Sequence, residues 1–173
     1  MVDHGWHAFY LARHLIDADP VAITAVTSQR KFTTAGVEDT AECTIEFPDA
    51  RAEILLTWAG EARRNGGTVT GTLGSLTIAD RTLITTIGDR APVETHFAQP
   101  LSAGSYHSDW FGAMLDDFHV EVHDPKARGE NAREAEACCR LLEWGYRSSA
   151  SGGVRLALAD PPPPIAPPPA PSA

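Results

Sequence analysis

Thr40-Ala41-Glu42-Cys43-Thr44-Ile45-Glu46-Phe47 sorts its side chains by parity: Ala41, Cys43, Ile45 and Phe47 are apolar, while Thr40, Glu42, Thr44 and Glu46 are polar. Such alternation describes a strand with one buried face and one face that is solvated or paired. Pro48-Asp49-Ala50 then turns the chain, and Ala52, Ile54, Leu56 and Trp58 alternate with Arg51, Glu53, Leu55 and Thr57. Together these segments predict an antiparallel hairpin. Toward the C-terminus, Thr68–Thr72, Ser75–Ile78 and Thr82–Ile87 read as further short strands, with turns at Gly66-Gly67, Gly74 and Ala79-Asp80-Arg81. Toward the N-terminus, Val21–Thr27 is rich in β-branched residues and follows Pro20, which ends whatever helix precedes it.

Helical patterns flank this meander. Trp6, Phe9, Tyr10, Leu11, Leu15 and Ile16 give the segment from Gly5 to Asp17 a broad apolar face, with Asp3 placed as an N-cap. Ser105 to Val122 presents Trp110, Phe111, Met114, Leu115, Phe118 and Val122 as a row suited to covering a sheet. Asn131 followed by Glu134 has the spacing of a capping box, and Ala135, Cys138, Cys139, Leu142 and Tyr146 continue at helical spacing until Gly152-Gly153. Val154–Leu158 reads as a last short strand. The expected class is α+β: a mostly antiparallel open sheet with helices packed on one face. Residues 1–159 are expected to form one domain, and 160–173 a proline-rich, disordered or polyproline II tail outside it. The sheet's other face is either solvated or a sheet-to-sheet contact between copies.

At 173 residues with 43% hydrophobic composition the chain can bury a sizeable core. Its net charge of -9, from 23 acidic and 14 basic residues, argues against nucleic acid or an anionic membrane as partner. No apolar run approaches the ~20 residues of a membrane span. Cys43, Cys138 and Cys139 lack CxxC spacing and read as reduced thiols, so a cytoplasmic location is expected.

The chemistry-bearing residues lie mainly at the start. Asp3 and His7 are four apart, so a helix would set a carboxylate and an imidazole one turn apart, an arrangement able to position and transfer a proton at an alcohol or carbonyl oxygen. His4 and His14 share that stripe, but His4 and His14 would be ~15 Å apart along a helix, which argues against a zinc site. No metal is expected. His119 and His123 read as a solvated helix end. Tyr106 and His107, in a loop after Pro100, are candidate substrate contacts. The stretch Gly71-Thr72-Leu73-Gly74-Ser75 reads as a hairpin turn rather than a phosphate cradle, because neither Lys nor a helix follows it. No nucleophile motif accompanies the histidines, so a hydrolase has little support.

Over residues 3 to 158 the chain resembles the C-terminal domain of the Gfo/Idh/MocA oxidoreductases. The resemblance is carried by Asp3-His4-Gly5-Trp6-His7, by Val37-Glu38-Asp39-Thr40-Ala41, by Val69-Thr70-Gly71-Thr72-Leu73-Gly74-Ser75-Leu76, and by Asn131 with Glu134-Ala135, in that order. It implies that Asp3 and His7 are the catalytic acid/base positions, His7 transferring the proton and Asp3 assisting. It also implies NAD(P) as the cofactor of an intact sugar or polyol dehydrogenase, and homo-oligomerisation through the sheet. The glycine-rich fingerprint and the lysine of the family's Rossmann half are missing from this sequence. The chain is therefore expected to be truncated, to bind no dinucleotide alone, to be inactive alone, and to need a Rossmann domain or subunit as partner. Trp6, Phe9 and Tyr10 are candidates for the surface that partner would cover. The competing reading is a non-catalytic, homo-oligomeric binding or scaffold module for a small polyhydroxylated ligand. The two differ in whether function requires a restored dinucleotide site.

Overall fold

The apolar row of the opening strand is buried: Ala41, Cys43, Ile45 and Phe47 are 4% exposed or less. The computed structural model describes residues 1–34, 36–101 and 108–158. In chain order its elements are α1 (Gly5–Ile16), β1 (Ala22–Ser28), β2 (Thr40–Glu46), β3 (Arg51–Thr57), β4 (Gly66–Gly71), β5 (Gly74–Ala79), β6 (Thr82–Ile87), β7 (Val93–His96), α2 (Ser108–His123), α3 (Glu130–Ala150) and β8 (Leu156–Ala157). The class is α+β, with antiparallel sheets. The strands divide between two four-stranded sheets, ordered β3-β2-β1-β8 and β4-β5-β6-β7. β3 does not pair with β4, and the residues between them, including Gly60 and Arg63-Arg64-Asn65, carry no alternation that would extend a ladder. The chain correspondingly forms two compact units, one from Met1–Ala59 with the segment from Val120 onward, the other from Gly60–His119.

In the first unit the register aligns the apolar rows: Ile23 opposes Ile45, Ala25 opposes Cys43, Cys43 opposes Ile54, and Ala41 opposes Leu56. This face is covered by α1 and α3, which pack on the sheet and on each other. α1 contributes Gly5, Phe9 and Ala12, and α3 contributes Cys138, Leu141, Trp144, Gly145 and Ser148, each set at helical spacing along one face. Full burial of a side chain such as Phe9 or Leu141 is worth about 1.5–3 kcal/mol. Ser148 is the buried polar member. Its hydroxyl donates to the Val154 carbonyl at 2.7 Å and accepts from the Ala25 N–H at 2.9 Å, tying α3 to β1. The helix ends where Gly152-Gly153 was expected to stop it: both glycines have positive φ, and the Gly153 N–H closes on the Ser148 carbonyl at 2.9 Å.

The helix starts differ from the sequence reading. The N-cap of α1 is His4, without a side-chain capping bond, and not Asp3. α3 starts behind Gly129, in a left-handed conformation, rather than at an Asn131 capping box. Glu134, the expected capping acid, instead accepts from the Arg13 guanidinium at 3.0 Å, linking the two helices. Phe9 is fully buried, whereas Trp6 and Tyr10 are exposed, so only the latter two remain on the outer surface of α1.

The second unit's strands form an antiparallel meander. Gly74 is required at its first turn: φ is +152°, and a Cβ there would lie 1.9 Å from the Thr86 carbonyl oxygen. β7 was not expected from sequence. Val93-Glu94-Thr95-His96 is exposed throughout and holds only one apolar residue. The apolar row of α2, expected to cover a sheet, is also exposed, with Trp110 and Phe118 each 65% accessible. Among the described residues no helix is long and apolar enough to cross a membrane.

Candidate functional site

Gly5 sets the geometry of the N-terminal segment. It is buried where α1 begins, and a Cβ there would come within 3.0 Å of both Leu142 and Met1. A larger residue there would have to displace the Leu142 and Met1 side chains by a few tenths of an ångström. The Gly5 N–H bonds the Met1 carbonyl at 2.8 Å, and this turn presents Met1 to His4 along one wall of a cleft in the first unit. The other walls come from Phe32, Val37 to Ala41, Leu56, Trp58 and Tyr146, and the volume is about 430 Å³. That is within the usual range for a small-molecule site.

At the mouth of the cleft, Asp3 Oδ2 lies 2.8 Å from His4 Nδ1, with both side chains at least half exposed. The His4 ring stands edge-on to Trp58, with centroids 5.5 Å apart. Trp58 follows the apolar alternation of Ala52, Ile54 and Leu56. It lies just past the end of β3, 63% exposed, held by its N–H on the Asp39 carbonyl at 2.7 Å. His7 lies on the next turn of α1, its ring 6.5 Å from that of His4 and 4.3 Å from that of Trp6. The structure thus pairs Asp3 with His4. His7 is exposed, outside the residues that line the cleft. Tyr106 and His107 lie outside the described residues.

Deeper in the cleft, Glu38 accepts from both the Met1 ammonium and the Tyr146 hydroxyl. Burial works to raise the Glu38 pKa, but these two donors outweigh it and hold the carboxyl below its ordinary value. Tyr146 is pushed up to about 12 by burial and by its bond to Glu38. It therefore remains a neutral phenol at neutral pH, and it also accepts from the Val2 N–H at 3.1 Å. Asp39 serves the framework. Its carboxylate accepts from the N–H groups of Arg30, Lys31 and Phe32 and from the Thr40 hydroxyl, at 2.7–3.0 Å, and so closes the loop between β1 and β2. Burial raises Cys43 to about 11, which keeps it a protonated thiol and not a nucleophile. Neither the Glu38–Tyr146 link, 108 residues apart, nor the position of Trp58 carried a local sequence signal.

Residues 1–77, the segment that builds α1, the first three strands and most of this cleft, match the family model for the GFO/IDH/MocA C-terminal domain. The match covers 77 of the 173 residues. Solved structures of similar fold cover nearly all of it. Aldose-aldose oxidoreductase from Caulobacter crescentus, complexed with glycerol, is 23% identical with a TM-score of 0.66, over 89% of this chain and 46% of that one. An oxidoreductase from Pseudomonas syringae is 16% identical with a TM-score of 0.68, over 90% of this chain and 50% of that one. An inositol dehydrogenase homolog from Azotobacter vinelandii, complexed with NADH and myo-inositol, is 19% identical with a TM-score of 0.64, over 90% and 48%. At these identities the likeness is one of fold, and the chain spans about half the length of each of the three. Comparison with curated proteins found no match.

The described residues do not fit a dinucleotide. Every strand pairing among the described residues is antiparallel, and no strand leads through a glycine turn into a helix N-terminus that could seat a pyrophosphate.

Proposed function

We propose that this chain is the substrate wall of an NAD(P)-dependent sugar or polyol dehydrogenase, with the dinucleotide held by a separate Rossmann segment or subunit. One observation carries this reading. A ligand-sized cleft, lined by Asp3 and His4, lies in the segment that matches the family. In such an enzyme the chain's own part is to hold the polyol and move the hydroxyl proton. Asp3 and His7 are the proposed acid/base pair, with Tyr106 and His107 as substrate contacts. The 2.8 Å Asp3–His4 contact makes His4 the alternative proton carrier. The exposed Trp6 and Tyr10 on α1 suit a surface covered by the partner domain, and Val26 and Leu55 on the open face of the first sheet suit contact between copies. The proposed domain spans residues 1–159, with a proline-rich tail beyond it, in the cytoplasm.

The test is to measure NAD(P)H formation from a panel of polyols by the chain alone and by the chain joined to a Rossmann segment. Turnover is expected only in the joined form, and His7→Ala is expected to lower it by ~100-fold, the scale of losing an acid/base. A comparable loss in His4→Ala with His7→Ala unaffected would move the proton to His4. Turnover by the isolated chain would overturn the division of labour.

A further inference from the structure

The cleft has a strong bias of charge and shape that bears on which ligand it accepts. Asp3, Glu38 and Asp39 line it, and none of the described residues lining it is Lys or Arg. The one ammonium lining it, that of Met1, already lies on Glu38. Glu38 Oε1 and both oxygens of Asp39 accept from the donors described above. Asp3, although its Oδ2 lies 2.8 Å from His4 Nδ1, is 67% exposed and keeps a carboxylate accessible to an incoming ligand. Trp58 stands beside it, 63% exposed, with His4 edge-on against its ring. An accessible indole provides a flat apolar surface for the C–H face of a sugar ring, and its π-cloud attracts a cation.

Resting on the substrate-wall reading above, we propose that this cleft selects amino-bearing sugars or polyols, stacked on Trp58 with the ammonium toward Asp3, and rejects phosphate- or carboxylate-bearing ones. An anionic ligand entering here meets Asp3 with no Lys or Arg to compensate, and like-charge juxtaposition disfavours it. A neutral sugar keeps the stacking and gains nothing from charge. The expected order is amino sugar, then neutral sugar, then acidic sugar.

The experiment is to titrate the full chain with glucosamine, glucose and glucuronate, following the tryptophan signals by NMR. Glucosamine is expected to bind at least ~10-fold tighter than glucuronate at low salt, with the difference shrinking as ionic strength rises. Asp3→Asn should erase the preference between the two charged sugars. Trp58→Ala should weaken glucosamine by about 10-fold, and Trp58→Phe should restore part of the loss. Because Trp58 lies mostly outside the core, these variants should keep the wild-type fold. Equal or tighter binding of glucuronate, or full affinity in Trp58→Ala, would overturn the selectivity while leaving the substrate-wall reading standing. If none of the three sugars binds, the selectivity falls, and the NAD(P)H assay of the joined form separately decides the substrate-wall reading.

Discussion

The two sheets of this protein have the same number of strands and the same antiparallel wiring, yet among the described residues only the first has a core. In the first, α1 and α3 lie over one face, and Phe9, Ile23, Ile45, Leu141 and Trp144 are at most 2% exposed. In the second, no described residue from Gly60 to His119 is buried, and both edge strands, β4 and β7, are exposed along their whole length. Its composition suits that situation. Thr68, Thr70, Thr77, Thr82, Thr85 and Thr86 keep the β-branched shape that favours strands while offering hydroxyls to water and to each other, as in the Thr68–Thr77 contact at 3.0 Å. Strand pairing and core formation are therefore separable properties. Local pattern and turn chemistry specify the ladder, but stability comes from what is packed against it.

Core truncations test the contrast most severely. Leu141→Ala should cost about 2–5 kcal/mol in urea unfolding, because a fully buried leucine leaves a cavity. Ile84→Ala, on a partly exposed position of β6, should cost about 1 kcal/mol. Equal losses would mean that the second sheet has a hidden source of burial. Amide hydrogen exchange offers a second view: β1 and β2 should be protected about 100-fold more than β5 and β6. Gain of protection in β4 to β7 when the proposed Rossmann segment or a second copy is present would identify what supplies the missing cover.

A more local test uses the turn that depends on backbone shape alone. Gly74→Ala places a Cβ 1.9 Å from the Thr86 carbonyl oxygen at a φ of +152°, so the β5–β6 pairing has to open there. Exchange should accelerate in β5 and β6 while β1 and β2 retain their protection. Acceleration in both sheets would show that the second supports the first.

The same contrast explains what could be read in the sequence. The β2–β3 hairpin was legible because one face is buried and the other is not, which is the condition that writes a period of two. β7 was not legible, since a strand exposed on every residue has no reason to alternate. On α1 the apolar residues cover too much of the circumference for periodicity to choose, so Phe9 was grouped with Trp6 and Tyr10 although only Phe9 is buried. Glu134 had capping spacing, but Arg13, 121 residues away, competes for it. In the cleft Asp3 was readable as a carboxylate at the start of α1, but its 2.8 Å contact with His4 was not, because it depends on where the helix begins. Trp58 and the Glu38–Tyr146 pair depend on tertiary contacts that no local window contains.

Acid should affect the two units differently. The β1–β2 loop is organised by Asp39, whose carboxyl is held well below the usual range by the N–H groups of Arg30, Phe32 and Lys31, against a smaller opposing effect of burial. The unfolded chain would titrate this group near ~3.9. A folded pKa below that value means that the stabilisation is complete well above pH ~4 and is lost as pH falls from there toward the folded pKa. Asp39→Asn should therefore melt several degrees lower than the parent at neutral pH, with the gap closing below pH ~4. The amide shifts of Arg30, Lys31 and Phe32 should move over that acid range in the parent only. In the second unit the turns at Gly74 and Gly88 rest on backbone conformation, with φ of +152° and +53°. Their amide shifts should change little over the same interval. A parallel acid response at the Gly74 and Gly88 turns would show that charge as well as backbone geometry maintains the second sheet.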